Sequence, residues 1–229
     1  MNLRIAEIFA SIQGEGMLVG VPSTFVRISG CNLRCTWCDT PYASWKPEGP
    51  VLSIDEIVAT VRELGVRHVV VTGGEPMLFE PVVILTRVLA ESGHAITIET
   101  AGTVYREVSC DLMSISPKLS NSTPDDPAWR ERHEATRSDL TPLRKLIAGY
   151  EYQLKFVVNP ESEYDDLGEI DALIADLGAD RGRVLLMAEG TDTETLHRRQ
   201  RLLAPICLQT GFRLTPRLHV DLFGNTRGT

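Results

Sequence analysis

Three cysteines within eight residues, Cys31, Cys35 and Cys38, carry the strongest chemical signal in this chain. Thiolates in such a run suit iron–sulfur clusters, zinc or copper(I). A structural zinc site takes four protein ligands. No histidine lies near the loop, and the two other cysteines, Cys110 and Cys207, are remote and set among apolar neighbours, as core thiols are. Three thiolates on a cubane of four irons leave one iron free to bind a small molecule. The spacing favours that open cluster over structural zinc.

Polar groups recur where apolar runs end. Thr72-Gly73-Gly74-Glu75-Pro76 follows the run His68–Val71. Paired glycines let the backbone approach a ligand closely, and Glu75 can accept from a cationic amine. Gly-Gly equally marks a plain strand-to-helix turn. Glu99-Thr100-Ala101-Gly102-Thr103 and Ser116-Pro117-Lys118 close the next two runs. A row of strand ends carrying polar residues is what a ligand-binding rim requires. Gln153 and Lys155 alternate with Leu154 and Phe156, so both face one side of a strand, which we read as a polar interior.

The elements that must hold these groups follow an α/β rhythm. Ser53-Ile54-Asp55-Glu56 has capping-box spacing, with Ile57, Val58, Val61 and Leu64 at helical intervals behind it. Strands are expected at Ser23–Ser29, His68–Thr72, Ala95–Glu99, Leu112–Ser116, Gln153–Val158, Val184–Glu189 and Arg217–Phe223. Helices are expected near 79–92, 163–177 and 193–211. Such strands, nearly continuous in Val, Ile and Leu, imply a parallel sheet covered by helices. Periodicity alone leaves a partial barrel and an open doubly wound sheet equally consistent. Residues 119–140 break the rhythm and read as a surface loop insertion or lid within a single domain spanning 1–229.

The chain has 229 residues, a hydrophobic fraction of 43% and a net charge of −8, which argues against a nucleic-acid or anionic-membrane partner. Mean hydropathy is −0.05, as in an ordinary globular protein. No apolar run is long enough for a membrane span, and the first residues lack a signal-peptide pattern, so a cytoplasmic protein is expected. Five cysteines, three of them crowded, argue for a metal or redox site rather than a disulfide framework.

The CxxxCxxC loop, with Trp37 before its last cysteine and a GGEP element downstream, resembles the radical S-adenosylmethionine (SAM) superfamily. That resemblance implies an incomplete TIM-like barrel of about six parallel strands with outer helices. It also implies a 4Fe–4S cluster on Cys31, Cys35 and Cys38, whose open iron chelates SAM. Ile12-Gln13-Gly14-Glu15-Gly16, Phe25-Val26-Arg27, Trp37-Cys38-Asp39-Thr40, TGGEP, ETAGT, SPK, KFVV and the closing His219, Gly224, Asn225, Arg227 and Gly228 further resemble the 7-carboxy-7-deazaguanine synthase family. Ala101 departs from the commoner asparagine of that family's ETNGT. The resemblance implies a lyase that contracts 6-carboxy-5,6,7,8-tetrahydropterin to 7-carboxy-7-deazaguanine with loss of ammonia, on the queuosine route. Carried over residue by residue, Trp37, Cys38, Asp39, Gly74, Glu75, Ser116, Pro117 and Lys118 would contact SAM. Thr40 would bind Mg²⁺, with Asp39 as an outer partner. Ile12, Gln13, Gly14, Glu15, Arg27 and Thr72 would contact the pterin. An electron donor such as flavodoxin or ferredoxin is implied, and a homodimer is expected. The competing readings are a glycyl-radical-enzyme activase with the same cluster and a zinc-stabilised binding module.

Overall fold

The computed structural model describes residues 1–229. One sheet of nine strands organises the chain, in the order β3-β1-β2-β4-β5-β6-β7-β8-β9. The first strand, β1 (Asn2–Ile12), runs antiparallel to both β2 (Pro22–Ile28) and the short β3 (Val51–Ser53). From β2 onward every pairing is parallel, through β4 (His68–Gly73), β5 (Ala95–Thr100), β6 (Leu112–Ile115), β7 (Tyr152–Val158), β8 (Val184–Ala188) and β9 (Arg213–Thr215). The parallel run therefore holds seven strands, six of them at the expected apolar runs and the seventh at residues 213–215 instead of 217–223. That seventh strand, β9, has only three residues and a single buried one. The sheet does not close, because β3 and β9 remain at its two edges.

Helices α1 (Pro41–Ser44), α2 (Ile54–Leu64), α3 (Pro81–Glu91), α4 (Pro127–Ser138), α5 (Thr141–Gly149), α6 (Asp166–Leu177), α7 (Thr193–Thr210) and α8 (Leu218–Phe223) complete the fold. The capping box read from the sequence starts α2. Ser53 Oγ accepts from Glu56 N, and the Glu56 carboxylate accepts from Ser53 N at 2.7 Å. Gly65, at φ 68°, ends it in the left-handed conformation that glycine tolerates best. Ile57, Val58 and Val61 then face the sheet, and the parallel strands are buried on both faces.

Two stretches differ from the sequence reading. Residues 217–223, expected as a strand, form α8. Pro216 removes a ladder donor there, and Leu218 N donates instead to Gly14 O at 2.9 Å. Residues 119–140 are not a bare loop, since α4 occupies twelve of them, started by Pro127 with the Asp126 carboxylate accepting from Ala128 N. Together with α5 it makes the β6–β7 crossover, which a parallel pair needs. The charged face of α4 hides its one fully buried side chain, His133.

Candidate active site

A cleft of about 450 Å³ opens over the carboxyl ends of the parallel strands, where open α/β sheets bind their ligands. Of the sequence-predicted residues, Ile12, Gln13, Gly14, Glu15, Arg27, Cys31, Cys35, Trp37, Cys38, Asp39, Thr40, Thr72, Gly74, Ser116 and Lys118 all line it. Glu75 and Pro117 do not; they stand behind the wall. Glu75 is fully buried, and its carboxylate accepts from Thr100 Oγ1, Ala101 N and Met77 N at 2.8–3.0 Å. Its oxygens are therefore spent on ordering the strand-end loops. Burial still pushes its carboxyl up against those donors.

The cysteine loop leaves the end of β2 and is clamped from two sides. Gly30 N donates to Ala43 O, Gly74 N to Ile28 O and Glu75 N to Gly30 O, all within 3.0 Å. A side chain at Gly74 would strike the carbonyls of Gly30 and Ala43, and Gly73, at φ 140°, would drive one into the Ile28 backbone. The paired glycines thus serve the fit between two loops. The outer side is held by residues of the β6–β7 crossover. Arg34 N donates to His133 Nδ1 at 3.1 Å, which leaves the proton on Nε2 to donate to Ser122 Oγ at 3.0 Å. Trp37 Nε1 donates to Asn121 Oδ1 at 3.1 Å. Burial pushes the Cys31 and Cys35 thiols up to about 12 and 11. Filling the loop with metal must therefore displace protons.

The thiols suit a cluster better than a single ion. All five cysteines are free, and nowhere do three His, Cys, Asp or Glu side chains converge closely enough to hold one metal ion. Structural zinc would need four that do. Cys110 and Cys207 lie away from the loop, with burial raising both thiols, in keeping with core positions.

The floor and far wall carry a charge network that reaches across the chain. Glu15 pairs with Lys155 on β7, and Arg217 Nε reaches its other oxygen at 3.1 Å. Arg217 also pairs with Asp39 beside the cluster loop and donates to Gly190 O. Burial raises the cost of an ionised Glu15, yet Lys155, Arg217 and His219 hold its carboxyl far below the usual range. Burial keeps the His219 ring below its usual range, against the pull of Glu15. Gln13 Nε2 donates to Glu99 Oε1 at 3.2 Å and Gln13 Oε1 accepts from Glu15 N, while Thr72 donates to Glu99 Oε2 at 2.8 Å. The side chains of Gln13, Glu15 and Thr72 are thus tied to one another's neighbours before any ligand arrives. Sequence reading found Lys155 only as an inward-facing residue and Glu99 only as part of a polar strand end, and it did not single out Arg217, which lines the cleft.

Arg27 differs. Its Nε is buried without a hydrogen-bond partner, and Glu7 Oε1, likewise unpartnered, lies 3.5 Å away. The guanidinium faces the cleft with Phe9 at 5.8 Å. The chain's last residues close over this end. Asn225, Thr226, Arg227 and Thr229 line the cleft, Gly228 N donates to Glu7 Oε2 at 2.9 Å, and Arg227 stacks 3.7 Å over the Tyr42 ring.

A partial parallel barrel with a three-thiol loop after its first parallel strand and a glycine pair after the second defines the radical SAM class. The model of the Radical SAM superfamily matches residues 25–121. A 7-carboxy-7-deazaguanine synthase of Rhodopirellula baltica is 44% identical over 100% of this chain and 89% of its own length. One of Halobacterium salinarum is 43% identical over 99% and 93%. The crystal structure of QueE from Escherichia coli superposes with a TM-score of 0.70 at 27% identity, covering 96% of this chain and 95% of that one. The chain belongs to the 7-carboxy-7-deazaguanine synthase family. It is a radical SAM enzyme of the lyase type, with a 4Fe–4S cluster and SAM as its cofactors. The activase and zinc-module readings give way to it.

Proposed function

We propose that this enzyme converts 6-carboxy-5,6,7,8-tetrahydropterin to 7-carboxy-7-deazaguanine with loss of ammonia, in queuosine or related deazapurine biosynthesis. The observation that carries this reading is Arg27, a cation that lines the cleft and whose Nε is held only by a loose ion pair with Glu7 at 3.5 Å. The rest of its guanidinium fork is left to donate to a substrate carboxylate or ring carbonyl. When bound, the cluster and SAM supply a carbon radical that takes hydrogen from the substrate.

The chain's own residues bind, orient and enclose. Cys31, Cys35 and Cys38 hold the cluster, and Trp37, Cys38, Asp39, Gly74, Ser116 and Lys118 stand around the place for SAM. Glu75 orders that wall from behind by accepting from Thr100, Ala101 and Met77, and Pro117 stands between Ser116 and Lys118. Lys118 Nζ is pre-set by Ser116 O and Oγ at 2.8 Å, with the Trp37 ring 5.4 Å away. Ile12, Gln13, Gly14, Glu15 and Thr72 form the opposite wall. The Glu15–Lys155–Arg217 network keeps an anionic carboxylate in place for ring N–H groups. Thr40 caps α1 without spending its hydroxyl on the helix, which leaves that oxygen for Mg²⁺. Magnesium commonly keeps only one or two protein ligands and fills its octahedron with water and substrate oxygens. The pterin and an external one-electron donor are the partners this chemistry requires. No helix is long and apolar enough to cross a membrane, in keeping with a cytoplasmic enzyme, which we propose acts as a homodimer.

Anaerobic incubation with 6-carboxytetrahydropterin, SAM, dithionite and Mg²⁺ tests the reading by product mass. Arg27→Gln lowers kcat/KM about 100-fold, the equivalent of about 2.7 kcal/mol for a lost charge-assisted contact. Absence of product from the cluster-filled wild type would overturn the assignment.

A further inference from the structure

We propose that Ser44 sets the reduction potential of the cluster by donating a hydrogen bond to the Cys38 sulfur. The inference rests on Cys38 being a cluster ligand. Ser44 ends α1, the four-residue helix that begins just after the cysteine motif, and its turn carries the hydroxyl back over the loop. Ser44 Oγ lies 3.0 Å from Cys38 Sγ. The residue is 4% exposed, so no bulk water can take its place.

The chemistry of the pair decides which atom donates. A metal-bound cysteine is a thiolate and has no proton, so Ser44 becomes the donor once the cluster is in place. The hydroxyl has one competing acceptor, Thr40 O at 3.2 Å. That carbonyl already accepts from Ala43 N at 3.0 Å, so turning the hydroxyl to sulfur leaves no buried acceptor bare. The helix that presents Ser44 is anchored, with Ala43 fully buried and its carbonyl accepting from Gly30 N at 2.7 Å. The donor is therefore held at the base of the cluster loop itself.

A hydrogen bond to a ligand sulfur withdraws electron density and stabilises the reduced, more negative cluster. A buried site strengthens the effect, because little else screens the added electron. Cys31 Sγ accepts from Leu33 N at 3.4 Å, a backbone contact that side-chain substitution leaves intact. Ser44 is the side-chain contribution and can be removed alone.

Wild type, Ser44→Ala and Ser44→Thr are reconstituted without oxygen and their iron and sulfide counted. About four of each per wild-type chain supports the ligand assignment; a wild type that holds none ends that assignment and this inference with it. Redox titration followed by electron paramagnetic resonance then separates the two questions. We expect alanine to shift the oxidised-to-reduced ratio about tenfold toward oxidised at a fixed poise, a potential ~59 mV lower for one electron. Threonine, which keeps the hydroxyl, stays near wild type. A filled alanine variant at the wild-type potential overturns the proposal, and so does a threonine variant that shifts as far as alanine. Should alanine not fill, Ser44→Val, which matches threonine in shape and lacks its hydroxyl, carries the test. A potential below that of threonine supports the proposal, and an equal potential or a second failure to fill overturns it.

Discussion

Replacing Arg217 with methionine removes a side chain that ties Glu15, on one wall of the cleft, to Asp39 beside the cysteine loop. Arg217 is 7% exposed and bridges Glu15 and Asp39. Breaking a buried ion pair by deleting one partner costs about 3–5 kcal/mol. Two features lower that figure here: Lys155 still neutralises Glu15, and the Asp39 side chain is 34% exposed, so water answers for part of its charge. A loss of about 2–3 kcal/mol remains, or roughly 5–10 °C in melting temperature for a chain of this size. The pH dependence follows from Glu15, whose carboxyl is depressed in the folded state. A depressed carboxylate stabilises the fold above its unfolded pKa and loses that contribution as pH falls through the folded value. Wild type loses the contribution progressively below the unfolded value and, with its carboxyl the more depressed, retains some of it in acid where Arg217→Met has none left. The deficit of the variant is therefore full at pH 7 and shrinks once the pH falls below the carboxyl's folded pKa in the variant. Circular-dichroism melts of the cluster-free chains at pH 7 and pH 4 measure both quantities. A deficit under about 1 kcal/mol at pH 7, or one that grows toward pH 4, would refute the argument.

Four further outcomes follow from the same contacts. Cys35→Ala abolishes reductive SAM cleavage while the circular-dichroism spectrum stays native; an unfolded variant would instead mark the metal as structural. His133→Leu breaks the brace on Arg34 N and leaves Ser122 short of a partner. It should lower stability by about 1–3 kcal/mol and reduce the iron retained after gel filtration, with retention equal to wild type counting against the brace. Glu75→Gln presents an amide to donors that need an acceptor, and urea unfolding should show a loss of about 2 kcal/mol. Removing Mg²⁺ with EDTA, or making Thr40→Ala, slows product formation without lowering the iron count. A joint fall in both would place Thr40 with the cluster instead.

The local signals were legible because they depend on neighbours in the chain. Three thiols within eight residues, a glycine pair closing an apolar run and a capping box over four residues are complete in the sequence itself. So was the alternation that gave a parallel α/β sheet, and the resemblance it supported placed fifteen predicted residues around one cleft. Glu75 shows the limit. Its sequence context marks a strand-end carboxylate, but whether its oxygens face a ligand or Thr100 depends on how two loops meet. Residues 217–223 show another, since four apolar residues in seven fit a strand or a short helix equally until Leu218 N finds Gly14 O across the chain.

What the sequence by itself determined is the reactive set: the thiols, the strand-end polar groups and the elements that carry them. Tertiary structure alone decided their electrostatics. Lys155 meets Glu15 across 140 positions and Arg217 meets it across 202, separations at which no spacing rule operates. Ser44 and His133 act on the cluster loop from a helix and a crossover whose sequences name no such role. The physical reason is the same in each case: a buried charge or hydroxyl takes its meaning from the partner beside it, and packing chooses the partner.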